Sequence, residues 1–203
     1  MYPITHSNNL NGFSHAQLAK RYLEGGARFF QVREPTLSDS LLYPQLLQIQ
    51  SLCQPLEAQF LVNNRVDLVL AGGADGVHLG QTDLPVKVAR ELLGKEALIG
   101  LSTHNRDQFL EAQSQDIDYI AIGPVFSTST KERENPLLGV ETMGRLIADS
   151  RFPVVAIGGI SLKNAAQVWA AGADSVAVIS DIVNASDPAK RVSQYLALGQ
   201  EFH

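Results

Sequence analysis

One phrase recurs four times along this chain: a helical run, a stop on Gly-Ala or an equivalent, then a short apolar strand. The copies are Glu24 to Val32 (EGGARFFQV), Ala71 to Leu79 (AGGADGVHL), Gln115 to Ile122 (QDIDYIAI) and Ala171 to Val178 (AGADSVAV). A helix that stops on glycine and passes at once into a buried strand is half of a repeating unit. Between the copies lie further apolar runs at 2–5, 59–63, 97–101 and 153–157, which brings the predicted strands to eight. Segments 14–24, 38–52, 65–71, 86–93, 106–113, 140–148, 162–171 and 188–198 separate them, with apolar residues three and four apart as in amphipathic helices. Ser14, Ser38 and Asp187 read as N-caps, and Pro188 sits where a first-turn proline is tolerated. Strand and helix in alternation predict a parallel sheet with right-handed crossovers, and eight such units close into a (β/α)8 TIM barrel. The alternative is an open doubly wound sheet, whose two edge strands would need protection. With no linker in sight, residues 1–203 read as one domain.

Composition closes other routes. Apolar residues are 45% and charged residues 18% of a 203-residue chain, which excludes disorder, collagen and long coiled coil. The lone cysteine, Cys53, allows neither an internal disulfide nor a thiolate zinc site and fits a reducing compartment. No window approaches the roughly 18 apolar residues of a membrane span, and residues 1–6 lack the basic and apolar stretches of a signal, so a cytoplasmic location is expected. A net charge of −5 offers no basic field for nucleic acid, so an anionic ligand must be held by a local cluster.

In a barrel that cluster belongs in the loops that follow the strands. Those positions carry Gln31 and Arg33; Asn63, Asn64 and Arg65; Gly80, Gln81 and Asp83; Ser102, Thr103 and His104; Thr128, Ser129, Thr130 and Lys131; Gly158 and Gly159; and Ser180. Polar groups gathered at one end of buried strands cost stability that apolar residues would not, and so read as a site. Gly158-Gly159, ahead of a helix for which Ser161 is a candidate cap, offers backbone N–H groups and a positive helix end to an anion. A second N–H cluster follows Ile179-Ser180, the Thr128 to Lys131 run adds hydroxyls and a cation, and Arg33 supplies a forked grip. Each also has a plainer reading. The glycine pair can be a tight turn, the Thr128 to Lys131 run a solvated loop, Arg33 with Glu34 a surface pair, Asp83 a cap ahead of Pro85, and His104 and His78 hydrogen-bonded structural residues.

Six strings, in order and spread along most of the chain, resemble one family: VNNRVDL (62–68), GADGVHLGQTDLP (73–85), GLSTH (100–104), IGPVFSTSTK (122–131), VAIGGI (155–160) and GADSVAVIS (172–180). They are similar to thiamin-phosphate synthase, within a superfamily that includes thiazole tautomerase. The resemblance implies a barrel transferase joining 4-amino-5-hydroxymethyl-2-methylpyrimidine diphosphate to 4-methyl-5-(2-hydroxyethyl)thiazole phosphate. Pyrophosphate leaves with Mg²⁺, and the thiazole nitrogen captures a pyrimidinylmethyl cation. By the same resemblance Gln31, Arg33 and Asn63 contact the pyrimidine diphosphate, Asp83 and Asn64 hold Mg²⁺, and Ser102 and Lys131 bind pyrophosphate, with Arg33 sharing in catalysis. Thr128, Thr130, Gly159, Ile179 and Ser180 face the thiazole phosphate. The implied partners are these small molecules, not nucleic acid or membrane, and a homo-oligomer stays open. Two departures fall on the leaving-group side. The family's Asn-Asp-Arg is here Asn63-Asn64-Arg65, and its Gln-Leu-Arg-x-Lys is here Gln31-Val32-Arg33-Glu34-Pro35, so one metal carboxylate and one lysine are missing. A tautomerase using His104 as acid/base and a non-catalytic precursor-binding protein are the competing expectations.

Overall fold

The recurring phrase has a physical cause at the base of a barrel. In three of its four copies an aspartate stands one residue before the strand, and each clamps the start of the preceding strand in the same way. The carboxylates of Asp75, Asp118 and Asp174 accept from the backbone N–H of Phe60, Ile99 and Val154 at 2.8, 2.7 and 2.7 Å. Their own N–H groups donate to the carbonyls of the same three residues at 3.0, 2.8 and 3.0 Å. A backbone donor at a strand's entry is thereby satisfied without help from a further strand. In the first copy Arg28 takes the position: its backbone carbonyl accepts from Gln59 N–H at 2.8 Å, and its guanidinium donates to the Ala27 carbonyl at 2.9 Å.

The computed structural model describes residues 1–6, 11–128 and 136–202. Its strands are β1 (Tyr2–His6), β2 (Phe29–Arg33), β3 (Gln59–Asn63), β4 (Gly76–Leu79), β5 (Leu98–Thr103), β6 (Tyr119–Ile122), β7 (Val154–Ile157) and β8 (Ser175–Val178). They form one closed parallel barrel in sequence order, with β8 paired to β1 through Tyr2↔Ala177 and Pro3↔Val178. The doubly wound alternative is therefore excluded. Helices α1 (His15–Glu24), α2 (Asp39–Cys53), α3 (Val66–Gly72), α4 (Val86–Leu93), α5 (Arg106–Ala112), α6 (Val140–Ile147), α7 (Ala165–Ala170), α8 (Ser180–Val183) and α9 (Pro188–Gly199) alternate with the strands.

Period-two alternation divides the strand residues between two cores. Outward residues such as Phe30, Val32, Phe60, Val77, Ile99 and Ile120 pack with Leu18, Tyr22, Leu46, Ile49, Phe109 and Tyr195 of the helices, each burial stabilising by about 1.5–3 kcal/mol. Tyr2, Ile4, Leu61, Tyr119, Ala121, Val155 and Ala177 fill the barrel interior. The same parity aims Gln31, Arg33, Asn63, His78 and Ser102 inward, toward the carboxyl end.

Two of the expected caps hold. Ser14 forms a full capping box with Gln17, and Asp187 accepts from Lys190 N–H at 3.1 Å. Ser38 lies in cap position, yet its hydroxyl bonds the Ser40 hydroxyl rather than a backbone N–H of α2. Ser161 is not a cap: Asn164 precedes a shorter α7, and Ser161 N–H donates to Asn164 Oδ1 at 2.7 Å, making 161–164 a turn. The short α8, directly after β8, was not anticipated, because four residues carry too little periodicity to register.

Candidate active site

At the carboxyl end of the strands, Gln31, Arg33, Asn63, Ser102 and Ile179 line one cavity together with His78. The polar lining continues inward as a chain of side chains from five strands. Gln31 Nε2 donates to Tyr2 Oη at 2.8 Å, Tyr2 Oη lies 2.8 Å from Tyr119 Oη, His78 Nδ1 lies 2.7 Å from Tyr119 Oη, and His78 Nε2 lies 2.8 Å from Ser102 Oγ. All five side chains are buried. Burial pushes both phenols well above the ordinary tyrosine range, so each keeps its proton at neutral pH. Gly100 makes room for this arrangement. It pairs with Tyr119 in register, and a Cβ there would lie 2.0 Å from the phenol ring.

A second cavity of about 440 Å³ opens beside the first and is lined by Thr128, Gly159, Ser161 and Ser180 among others. Ile179 lines the first cavity and Ser180 the second, so consecutive residues serve the two. The glycine pair here is a required turn. Gly158 and Gly159 have φ of +105° and +62°, and a Cβ on Gly159 would lie 2.4 Å from the Ser127 carbonyl oxygen. Only a residue without a side chain allows the 124–127 segment to approach this closely. Asp181 in the lining accepts from Arg191 Nη1 and Tyr195 Oη, both at 2.7 Å, so the Arg191 cation offsets the charge of an acid that would otherwise repel an anion.

Asp83 stands after β4, where its carboxylate accepts from Gly80 N–H at 2.6 Å and holds the Gly80 turn; the cap position of α4 is Pro85. Neighbouring Gln81 donates to the Ser102 carbonyl at 2.7 Å. Asn64 adopts φ +64°, a left-handed backbone that asparagine tolerates, and its N–H donates to the His78 carbonyl at 2.9 Å, tying the loop after β3 to β4. Its side-chain oxygen accepts from Asn63 Nδ2. Among the described residues no group of three or more His, Cys, Asp or Glu is placed to hold a metal. Arg65 turns away from the mouth and grips Asp39 and Asp67, with Nη1 and Nη2 each 2.8 Å from an Asp39 oxygen and Nε 2.8 Å from Asp67. His104 is held at Nδ1 by the Gly123 carbonyl at 2.7 Å. Ser129, Thr130, Lys131 and Arg133 lie outside the described residues.

One expected pairing is replaced. Glu34 bonds His15 rather than forming a surface pair with Arg33, and the two side chains are 2% and 1% exposed. His15 Nε2 is 2.9 Å from Glu34 Oε2, while Oε1 accepts from Thr36 N–H, Thr36 Oγ1–H and Leu37 N–H at 2.6, 2.8 and 2.8 Å. Burial alone would raise the Glu34 carboxyl, but these donors outweigh it and hold it down to about 2. Burial pushes the His15 imidazole below its ordinary range, against the opposing pull of Glu34. The clamp seats the turn immediately after Arg33. Nothing in the neighbouring sequence names His15 as the partner. The Tyr2–Tyr119–His78 chain did carry a signal, since His78 has the inward parity of its strand, but a histidine inside an apolar run reads first as structural.

A closed β/α barrel that gathers amide, guanidinium and hydroxyl groups at the carboxyl ends of its strands, beside a second cavity lined by glycine and hydroxyl groups, is a barrel enzyme for small molecules. Residues 1–182 match the Thiamine monophosphate synthase family. The thiamine-phosphate synthase of Laribacter hongkongensis is 47% identical over 176 residues, covering 87% of this chain and 83% of that protein. That of Caldicellulosiruptor bescii is 38% identical over 202 residues, covering 100% and 92%. The solved thiamine phosphate pyrophosphorylase of Pyrococcus furiosus superposes with a TM-score of 0.89 at 32% identity, covering 99% of this chain and 96% of that one. The chain belongs to the thiamine-phosphate synthase family and is a transferase.

Proposed function

We propose that this chain joins the pyrimidine diphosphate and the thiazole phosphate to give thiamin phosphate and pyrophosphate, with the residues at the mouth contacting the first substrate and the cavity lined by Gly159 and Ser180 taking the phosphate of the second. The observation that carries the reading is that Ile179 lines the mouth cavity and the next residue, Ser180, lines the second, which sets the two side by side. A nucleophile anchored in one is thereby presented to an electrophile in the other, and such positioning can supply much of the rate. Gln31 and Asn63 orient the pyrimidine diphosphate, while Arg33, Ser102 and Lys131 donate to the departing pyrophosphate as its charge develops. Thr128, Thr130, Gly159 and Ser180 take the thiazole phosphate. The barrel interior below the mouth is packed with Ile4, Leu61, Val155 and Ala177, which keeps water from the underside of a cation that water would quench.

Asp83 and Asn64 are the residues that would hold Mg²⁺. One carboxylate and one amide oxygen on adjacent loops suit an ion that takes its remaining ligands from water and substrate phosphate. When bound, Mg²⁺ supplies charge neutralisation for the leaving pyrophosphate. With Asp at neither position 64 nor Lys at 35, affinity for the ion and the diphosphate is lower than the family pattern would give. The proposal includes a cytoplasmic location, in keeping with a buried Cys53 whose thiol burial pushes up to about 12. His104, held at Nδ1 by Gly123, gives the tautomerase alternative no added support. The test is incubation of both substrates with Mg²⁺, followed by detection of thiamin phosphate and pyrophosphate. No product at high enzyme and high Mg²⁺ refutes the reading.

A further inference from the structure

The buried chain from Gln31 to Ser102 contains four hydrogen bonds whose directions can be worked out by counting protons. Its first link is directional, because an amide nitrogen only donates: Gln31 Nε2 donates and Tyr2 Oη accepts, at 2.8 Å. Tyr2 then has one hydrogen of its own to place. Among the described residues the only acceptor recorded for it is Tyr119 Oη, at 2.8 Å. If the second link ran the other way, Tyr2 would accept twice and leave a fully buried O–H without a partner, which costs about 1–3 kcal/mol. Tyr2 therefore donates to Tyr119. Tyr119, having accepted, gives its single hydrogen to His78 Nδ1 at 2.7 Å. His78 must then be neutral and protonated at Nε2, and it donates to Ser102 Oγ at 2.8 Å. An imidazolium is disfavoured by the same count, since a proton on Nδ1 would leave the Tyr119 hydrogen with nowhere to go.

We infer that this relay fixes the direction in which the Ser102 hydroxyl points. With its oxygen accepting from His78, the Ser102 hydrogen is free to be donated, and Ser102 lines the mouth. In the opposite polarity that hydrogen would be spent on His78 Nε2, and Ser102 would turn lone pairs toward an anion. Gln31 thus sets, across four bonds and five strands, whether the mouth offers a donor or an acceptor. Tyr2, Tyr119 and His78 are positioning residues that act through Ser102. The inference rests on the proposed role of Ser102 as a donor to pyrophosphate, and it goes beyond that role by naming what orients it.

The first test reads a protonation state rather than a rate. In ¹⁵N-labelled protein at neutral pH, the ring nitrogens of His78, assigned by their loss in His78→Gln, are expected to report the neutral tautomer protonated at Nε2. A neutral ring protonated at Nδ1, or an imidazolium, overturns the relay whether or not the protein makes thiamin phosphate. The second test is a kinetic cycle with Tyr119→Phe, Ser102→Ala and the double variant. Tyr119→Phe is expected to lower kcat about tenfold or more with KM for both substrates changed less than about threefold. The double variant is expected to be no slower than Ser102→Ala alone, because the relay has nothing left to orient. Losses that multiply in the double variant overturn the inference, since a purely structural role for Tyr119 would act independently of Ser102. A wild-type protein that forms no product sinks the proposed reaction, and the tautomer measurement still decides the relay.

Discussion

Glu34→Gln isolates the clamp that seats Arg33. The substitution keeps the side chain's shape and one acceptor oxygen while removing a buried charge that takes four hydrogen bonds, from His15, from both donors of Thr36 and from Leu37 N–H. The carboxyl is held down from 4.5 to about 2, which corresponds to about 3 kcal/mol of stability at neutral pH. Loss of one charge gives an expected cost of about 2–3 kcal/mol and a fall in Tm of about 5–10 °C for a chain of this length. The pH dependence has a definite sign. A carboxyl whose folded pKa is depressed contributes fully above 4.5, and that contribution fades as pH falls toward about 2. By pH 3 about 2 kcal/mol of it is gone from the wild type, whereas the variant has none to lose in this window. Urea unfolding of both proteins between pH 7 and pH 3 should therefore show two stabilities that converge on acidification. A gap that is constant with pH, or below about 0.5 kcal/mol at pH 7, refutes the reasoning. Because the turn follows Arg33 directly, the variant's KM should rise for the pyrimidine diphosphate and stay near normal for the thiazole phosphate.

Restoring Asn64→Asp and Pro35→Lys together should raise kcat/KM at least tenfold and lower the Mg²⁺ concentration needed for half-maximal rate; an unchanged titration would mean the site handles the leaving group without them. Gly159→Ala, which places a methyl 2.4 Å from the Ser127 oxygen at φ +62°, should raise KM for the thiazole phosphate tenfold or more with an unaltered circular dichroism spectrum. Equal KM in steady-state assays would remove the second cavity from the site. Asp118→Ala should do the reverse: stripping the partner from Ile99 N–H costs about 1–3 kcal/mol in denaturant unfolding, while kcat and both KM values stay within about twofold.

Local chemistry made the barrel legible. Each strand is short and apolar, each helix carries its three-and-four spacing, and a stop on Gly-Ala or an equivalent recurs at the same joint in the chain, so the alternation and its count could be read residue by residue. The polar ends of the strands were legible for a related reason: Gln31, Asn63 and Ser102 interrupt runs that would pack better without them. Ser161 was misjudged because a serine before a helical run can open a turn as readily as it caps a helix, and only the backbone of 161–164 distinguishes the two.

The amino-acid sequence alone determined that eight β/α units would form and that polar groups would crowd their carboxyl ends, because both follow from the size and hydrogen-bonding capacity of residues a few positions apart. Only the tertiary structure decided which of those groups meet. Tyr2 and Tyr119 are 117 positions apart and touch because closure of the barrel sets β1 across from β6, and His15 finds Glu34 because α1 packs against the turn after β2. Contacts across a closed barrel depend on how the strands are staggered around the ring, a property of the whole sheet that no short stretch of chain carries.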